Sequence, residues 1–112
     1  MPLRLSALCV LLLAGPAAAG PPTFERDVQP ILTRFGCNQG ACHGKARGQN
    51  GFQLSLLAFD HDADYAALTA EARGRRVLPA SPANSLLLSK GTGNVPHGGG
   101  KKLPPDGPEY KT

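Results

Sequence analysis

Cys37-Asn38-Gln39-Gly40-Ala41-Cys42-His43 is the stretch on which the reading of this chain turns. Two thiols followed at once by an imidazole form a relaxed version of the C-x-x-C-H run, the attachment signature of c-type haem. Four residues stand between the cysteines here rather than two. The loop is therefore wider, and Gly40 is expected to give it the freedom to bulge. Each thiol can add across a haem vinyl group to form a thioether, and the neighbouring His43 is then held under the ring as proximal iron ligand. Two other uses of these residues stay open. Cys37 and Cys42 can pair as a disulfide in an oxidising compartment. Cys37, Cys42, His43 and His97 are also four N/S donors of the kind zinc accepts in a tetrahedral site. Adjacent residues such as Cys42 and His43 reach one small ion with difficulty, whereas a wide porphyrin uses that adjacency directly. Haem is accordingly expected ahead of either alternative.

The residues upstream set the compartment. Met1 to Arg4 is a short basic start, Leu5 to Ala14 is apolar, and Ala17-Ala18-Ala19 supplies small residues for cleavage. That is the pattern of a secretory signal peptide, predicting a signal over 1–19, a mature domain over 20–112, and a periplasmic or secreted location. The apolar run is too short to span a bilayer comfortably, so no stable membrane insertion is expected after cleavage. Cys9 leaves with the signal, and Cys37 and Cys42 remain as the only pair.

Composition narrows the class further. The net charge of +4 is modest, the basic residues are scattered and aromatics are few, which does not suit a nucleic-acid partner. No Trp, four Phe and two Tyr in 112 residues are a thin supply of large apolar groups. Small domains of this kind often depend on a metal, cofactor or disulfide.

Periodicity predicts a mainly α fold. Phe24, Val28, Ile31, Leu32 and Phe35 fall at helical spacing, with Thr23 as N-cap and Glu25 and Asp27 in the first turn. Pro30 should kink or restart this helix, and Gly36 should end it at the cysteine motif. Residues 44–51 read as loop, and the alternation of Phe52, Leu54 and Leu56 with Gln53 and Ser55 as a short extended segment. A second helix is predicted over 62–72, ending at Arg73-Gly74. Ser81-Pro82 opens a third, with Leu86, Leu87 and Leu88 as its buried row and Gly91 and Gly93 as its close. Beyond Asn94 the chain is rich in Gly and Pro and stops at Thr112 without a further packed helix. The domain is expected to be incomplete at its C-terminus.

A second axial ligand must come from the remaining histidines, because the one methionine is Met1. His97 is the expected distal ligand: it lies in Val95-Pro96-His97-Gly98-Gly99-Gly100, where glycines let the backbone approach a flat ring. The next alternative is no second protein ligand at all; His61, among Asp60, Asp62 and Asp64, is the least of the three and reads as part of a solvated helix start. Arg73, Arg75 and Arg76 could pair with haem propionates, but read more simply as a solvated helix end. The glycines before Lys101-Lys102 do not make a phosphate loop, since Val95 replaces its first glycine and Lys102 its Ser or Thr. The alternating aspartates lack the glycine and terminal glutamate of a calcium loop.

Phe24-Glu25-Arg26-Asp27-Val28-Gln29-Pro30-Ile31-Leu32 leading into Cys42-His43-Gly44 resembles the planctomycete-type cytochrome c domain. The wide-spaced cysteine subgroup is especially similar through Gly44-Lys45-Ala46-Arg47-Gly48-Gln49-Asn50-Gly51-Phe52. Ala72-Arg73-Gly74-Arg75-Arg76-Val77, Ser85-Leu86-Leu87-Leu88 and Val95-Pro96-His97-Gly98-Gly99-Gly100 extend the likeness across nearly all of 20–112. The resemblance implies a cytochrome-c-like helical fold with long loops, one covalent haem c on Cys37 and Cys42, and iron bound by His43. It also implies a place in a longer secreted protein with further domains. The sequence departs from the common pattern in its cysteine spacing and in Leu103, which stands before Pro104-Pro105 where a Met is usual. The expected function is one-electron transfer with a redox partner protein, not catalysis. A non-haem binding or structural module is the alternative, and a haem enzyme with an open iron site such as a peroxidase is a lesser one.

Overall fold

Four short α-helices joined by tight turns and long loops form the chain, in a computed structural model that describes Gly15 and residues 20–44 and 46–112. Apart from Gly15, the expected signal segment 1–19 lies outside the described residues. The architecture is mainly α, and no strand occurs among the described residues.

Thr23 opens the first helical stretch, as its position predicts, but it caps in reverse. Its backbone N–H and hydroxyl donate to the Asp27 carboxylate at 2.6 and 3.3 Å. These bonds, the backbone one foremost, hold the Asp27 carboxyl below the ordinary carboxylate range. A π-helical turn runs Phe24–Val28, and helix α1 follows over Gln29–Arg34 with Pro30 in its first turn. Proline lacks the N–H of a continuing α-ladder, so the helix restarts there. Gly36 closes it at φ +75° while Cys37 N–H donates to Leu32 O at 2.8 Å, a left-handed cap that glycine adopts without penalty.

Helix α2 spans His61–Thr69, and the Asp60 carboxylate caps it by accepting from Ala63 N–H at 3.0 Å. It is shorter than the predicted 62–72 because Ala72 and Arg73 take φ of +52° and +60° within a separate turn over Glu71–Gly74. Pro82–Asn84 forms one tight turn before helix α3, Leu86–Gly91. Leu86, Leu87 and Leu88 are half-buried, not a fully buried row. A last turn of helix, α4, covers Pro108–Lys111, where sequence periodicity gave no signal. Arg34 ties α4 back to α1 through Glu109 at 2.6 Å; with the Arg34 side chain mostly exposed, solvent screens the pair and limits what it adds to stability. No helix among the described residues is long and apolar enough to cross a membrane.

The expected extended segment over 52–56 pairs with no strand. Its one ladder contact is the tight bridge between Gln49 and Phe52, and Leu54 N–H donates to His43 O at 2.8 Å. That bond docks the segment against the cysteine loop.

The core is as small as the composition suggests. Leu32, Leu54 and Leu68 form it, with Phe24, Val28, Cys37, Phe52, Val77 and Leu87 packed around them. Leu56, Leu57 and Phe59 remain exposed, Phe59 at 89 %. Buried polar groups stitch the rest. Asp64, read from sequence as a helix-start acid facing solvent, is 2 % exposed. It accepts from Ser55 N–H, the Ser55 hydroxyl at 2.8 Å and the Gln29 amide at 2.9 Å. Four residues past Asp60, it points inward from α2, which removes it from the solvated face its spacing suggested. His61 is exposed at the helix start, as expected, and its Nδ1 donates to the Gln29 amide oxygen.

Candidate functional site

The cysteine motif is a loop closed on itself. Cys42 and Gly44 N–H groups both donate to Gln39 O, at 2.9 and 3.0 Å, and His43 N–H donates to Cys37 O at 3.0 Å. The bonds bring the two ends of the seven-residue run together, so the wide cysteine spacing costs no order. Cys37 and Cys42 are free thiols, both half-buried. Cys37 packs against the leucine core, and its thiol is pushed above the ordinary thiol range by burial first and by Cys42 second.

Gly40, expected to provide the freedom for the loop, has open space around it and a φ outside the left-handed region. Gly44 is the glycine the loop needs. A Cβ there would sit 2.0 Å from Asn38 O, closer than any real contact. Asn38 itself is 1 % exposed. Its side-chain NH2 donates to the Thr33 hydroxyl at 2.8 Å, while its side-chain oxygen has no partner among the described residues.

His43 is half-buried and held from two sides. Its Nδ1 lies 2.9 Å from Phe52 O. A carbonyl only accepts, so Nδ1 carries the proton and Nε2 presents a lone pair. The same carbonyl accepts Gln49 N–H at 2.9 Å, and the Phe52 ring lies with its centroid 4.5 Å from the imidazole. Burial lowers the His43 pKa and outweighs the Phe52 hydrogen bond that raises it; His97 and Arg76 lower it further. The ring is therefore neutral at pH 7, the form that binds metals.

Gly48 shapes this anchor. Its φ is +57°, and a Cβ there would meet Phe52 O at 2.0 Å.

His97 is brought to the same place from the far end of the chain. Its loop is tied to α3 by Val95 N–H on Ser89 O at 3.2 Å and by the Lys90 ammonium on Pro96 O at 2.6 Å. The glycines after it wrap the ring closely: a Cβ at Gly99 would lie 3.0 Å from His97 Cε1, and Gly100 turns at φ +75°. His97 Nδ1 donates to Gly100 O at 2.8 Å. The imidazoles of His43 and His97 are parallel within 5°, with centroids 6.2 Å apart. Neither Nε2 has a hydrogen bond among the described residues. Two Nε2 atoms are thus left without partners on parallel rings, each ring fixed by a backbone carbonyl on its other nitrogen.

His61 is engaged elsewhere. It lines a hollow with Thr23, Phe24 and Tyr65 that includes none of the cysteine-loop residues. The four-donor zinc arrangement is not formed either, since no three His, Cys, Asp or Glu side chains gather around a common point among the described residues.

The arginine cluster divides. Arg73 and Arg75 are exposed, as a solvated helix end requires, but Arg76 is 6 % exposed. It donates to Ala67 O at 2.5 Å and Gly51 O at 2.8 Å, meets Glu71 at 3.2 Å, and lies 4.5 Å from the Phe52 ring centroid. This corrects its reading as part of a solvated end: carbonyls of the turn and of α2 need a donor, and a guanidinium supplies several in one plane. Sequence spacing gave no signal for that role.

No family model, curated protein or solved structure matches the chain.

Proposed function

We propose that the chain is an exported, cytochrome-c-like domain that carries one covalent haem on Cys37 and Cys42 and serves in one-electron transfer. The observation that carries this reading is the parallel pair of His43 and His97 with both Nδ1 atoms anchored on carbonyls. A metal-bound histidine ordinarily donates its other ring N–H to such a group, which fixes the tautomer and strengthens the ligand. The two rings stack parallel with centroids 6.2 Å apart, which gathers the two imidazoles that would hold the iron into one place from distant parts of the chain.

The donor chemistry fits as well. Both thiols are unbridged, the histidine beside the second is neutral at pH 7, and the loop between them is held by its own hydrogen bonds. A core of three leucines beside exposed Leu56, Leu57 and Phe59 leaves apolar surface that a large flat ligand would cover. When bound, haem supplies the redox chemistry by cycling iron between ferrous and ferric states. The chain's share is tethering by Cys37 and Cys42, orientation of His43 by Phe52, and orientation of His97 by Gly100. His43 and His97 would be the residues to hold the iron, and an iron held by both would favour an electron carrier over a haem enzyme. Two imidazoles also set a lower potential than a Met/His pair would.

The test is the visible spectrum of the chain expressed with haem-maturation machinery in an oxidising compartment. A low-spin c-type spectrum is expected, and a protein without visible absorption contradicts the proposal.

A further inference from the structure

Arg76 touches neither thiol nor imidazole, yet its contacts converge on the residue that holds His43. One nitrogen of its guanidinium donates to Ala67 O, in α2, and meets the Glu71 carboxylate; another donates to Gly51 O. Its carbon lies 4.5 Å from the centroid of the Phe52 ring. Glu71 is 54 % exposed at its side chain, so that ion pair is screened by water and contributes little. The contact to Ala67 O in α2 is buried, and the one to Gly51 O is part-buried.

Phe52 in turn makes two contacts with His43. Its carbonyl accepts the Nδ1 proton, and its ring packs on the imidazole with centroids 4.5 Å apart at 44°. The turn bearing Phe52 is held by the Gln49–Phe52 bridge, by Leu54 N–H on His43 O at 2.8 Å and by packing of Phe52 on the leucine core. Arg76 adds a link from the end of α2, by a hydrogen bond to Gly51 O and by a cation on the Phe52 ring face.

We infer that Arg76 is a positioning residue for His43. By pinning Gly51 and Phe52 to the end of α2, it keeps the Phe52 carbonyl on Nδ1 and so leaves Nε2 as the nitrogen without a proton. The inference rests on the reading of His43 as an axial ligand. It adds a second link behind that ligand that neither the motif nor its spacing indicates. Lysine cannot replace the arrangement fully, because a point-like ammonium does not bridge two carbonyls and cover a ring at once.

The experiment follows the exchange of the His43 ring Nδ1–H with solvent, by NMR of the matured, fully reduced protein, in wild type, Arg76→Gln, Arg76→Lys and Phe52→Leu. Arg76→Gln is expected to accelerate exchange up to about tenfold, the change in opening that weakening one hydrogen bond produces. Arg76→Lys should fall between it and wild type. A folded Arg76→Gln protein that exchanges at the wild-type rate overturns the inference, whatever its melting temperature. Should Arg76→Gln fail to fold, Phe52→Leu decides: it removes the ring but keeps the carbonyl, and an unchanged rate there overturns the inference too. Failure of the haem reading looks different, as a colourless wild-type protein. The same exchange measurement on the His43 ring of that protein still decides the role of Arg76.

Discussion

The imidazole rings of His43 and His97, 54 residues apart in sequence, lie parallel to within 5° with centroids 6.2 Å apart. Each gives its Nδ1 proton to a carbonyl a few residues downstream, Phe52 O and Gly100 O. Each anchor depends on a nearby glycine: Gly48 beside the first, Gly99 beside the ring of the second. The two loops thus solve the same problem in the same way, fixing an imidazole through Nδ1 with no partner on Nε2 among the described residues.

His97→Ala is expected to convert the low-spin haem spectrum to high-spin and to open the iron to added ligands such as imidazole. The thioethers do not involve His97, so the haem remains attached. An unchanged low-spin spectrum would remove His97 as the second ligand.

Cys37→Ser and Cys42→Ser are each expected to leave haem bound through one thioether, with His43 still in place. The double variant should release its haem on extraction with acidified organic solvent, while wild type retains it. Retention by the double variant contradicts attachment through these thiols.

Gly48→Ala forces a Cβ to within 2.0 Å of Phe52 O at a φ of +57°. Strain of this kind costs about 1–3 kcal/mol, to be read by urea unfolding. Because the obstructed atom is the acceptor for His43, the substitution should also disturb the axial spectrum. A control at exposed Gly40, Gly40→Ala, has open space and should change neither.

The depressed pKa of His43 sets a pH dependence with a definite sign. On acidification the unfolded chain takes up a proton at the ordinary imidazole value of 6.5, while the folded chain resists until a lower pH. The stability that neutral His43 provides is therefore complete above that value and is lost as pH falls through the folded pKa. In the chain before haem attachment, where no iron occupies the imidazole, unfolding free energy should decline from about pH 6.5 downward, and His43→Gln should remove that part of the slope. A slope of the opposite sign in this window contradicts the burial of a neutral His43.

Much of the helical framework is legible in the sequence because it follows local rules. Pro30 restarts the first helix, Gly36 ends it, and Asp60 caps α2, each for a reason contained within one or two turns. The cysteine loop is legible too, as is the meeting of His43 with His97, since glycines flank that second histidine. What escapes is what depends on distant partners. Gln29, Asn38, Asp64 and Arg76 are all buried, and no hydrophobic period singles out a polar residue for the interior. Asp64 goes inward only because Ser55 and Gln29 wait there, and Arg76 only because the carbonyls of Ala67 and Gly51 do. The alternation over 52–56 does bury Leu54, but Phe52 serves the site through its backbone oxygen, which no side-chain pattern can encode.

The mass of the mature protein, purified after passage through a haem-maturing secretory route, decides whether Cys37 and Cys42 carry a haem. Attachment gives the polypeptide over 20–112 plus one haem, surviving denaturation because two thioethers hold it. A bare polypeptide mass, or one lower by the two hydrogens of a Cys37–Cys42 disulfide, would contradict it.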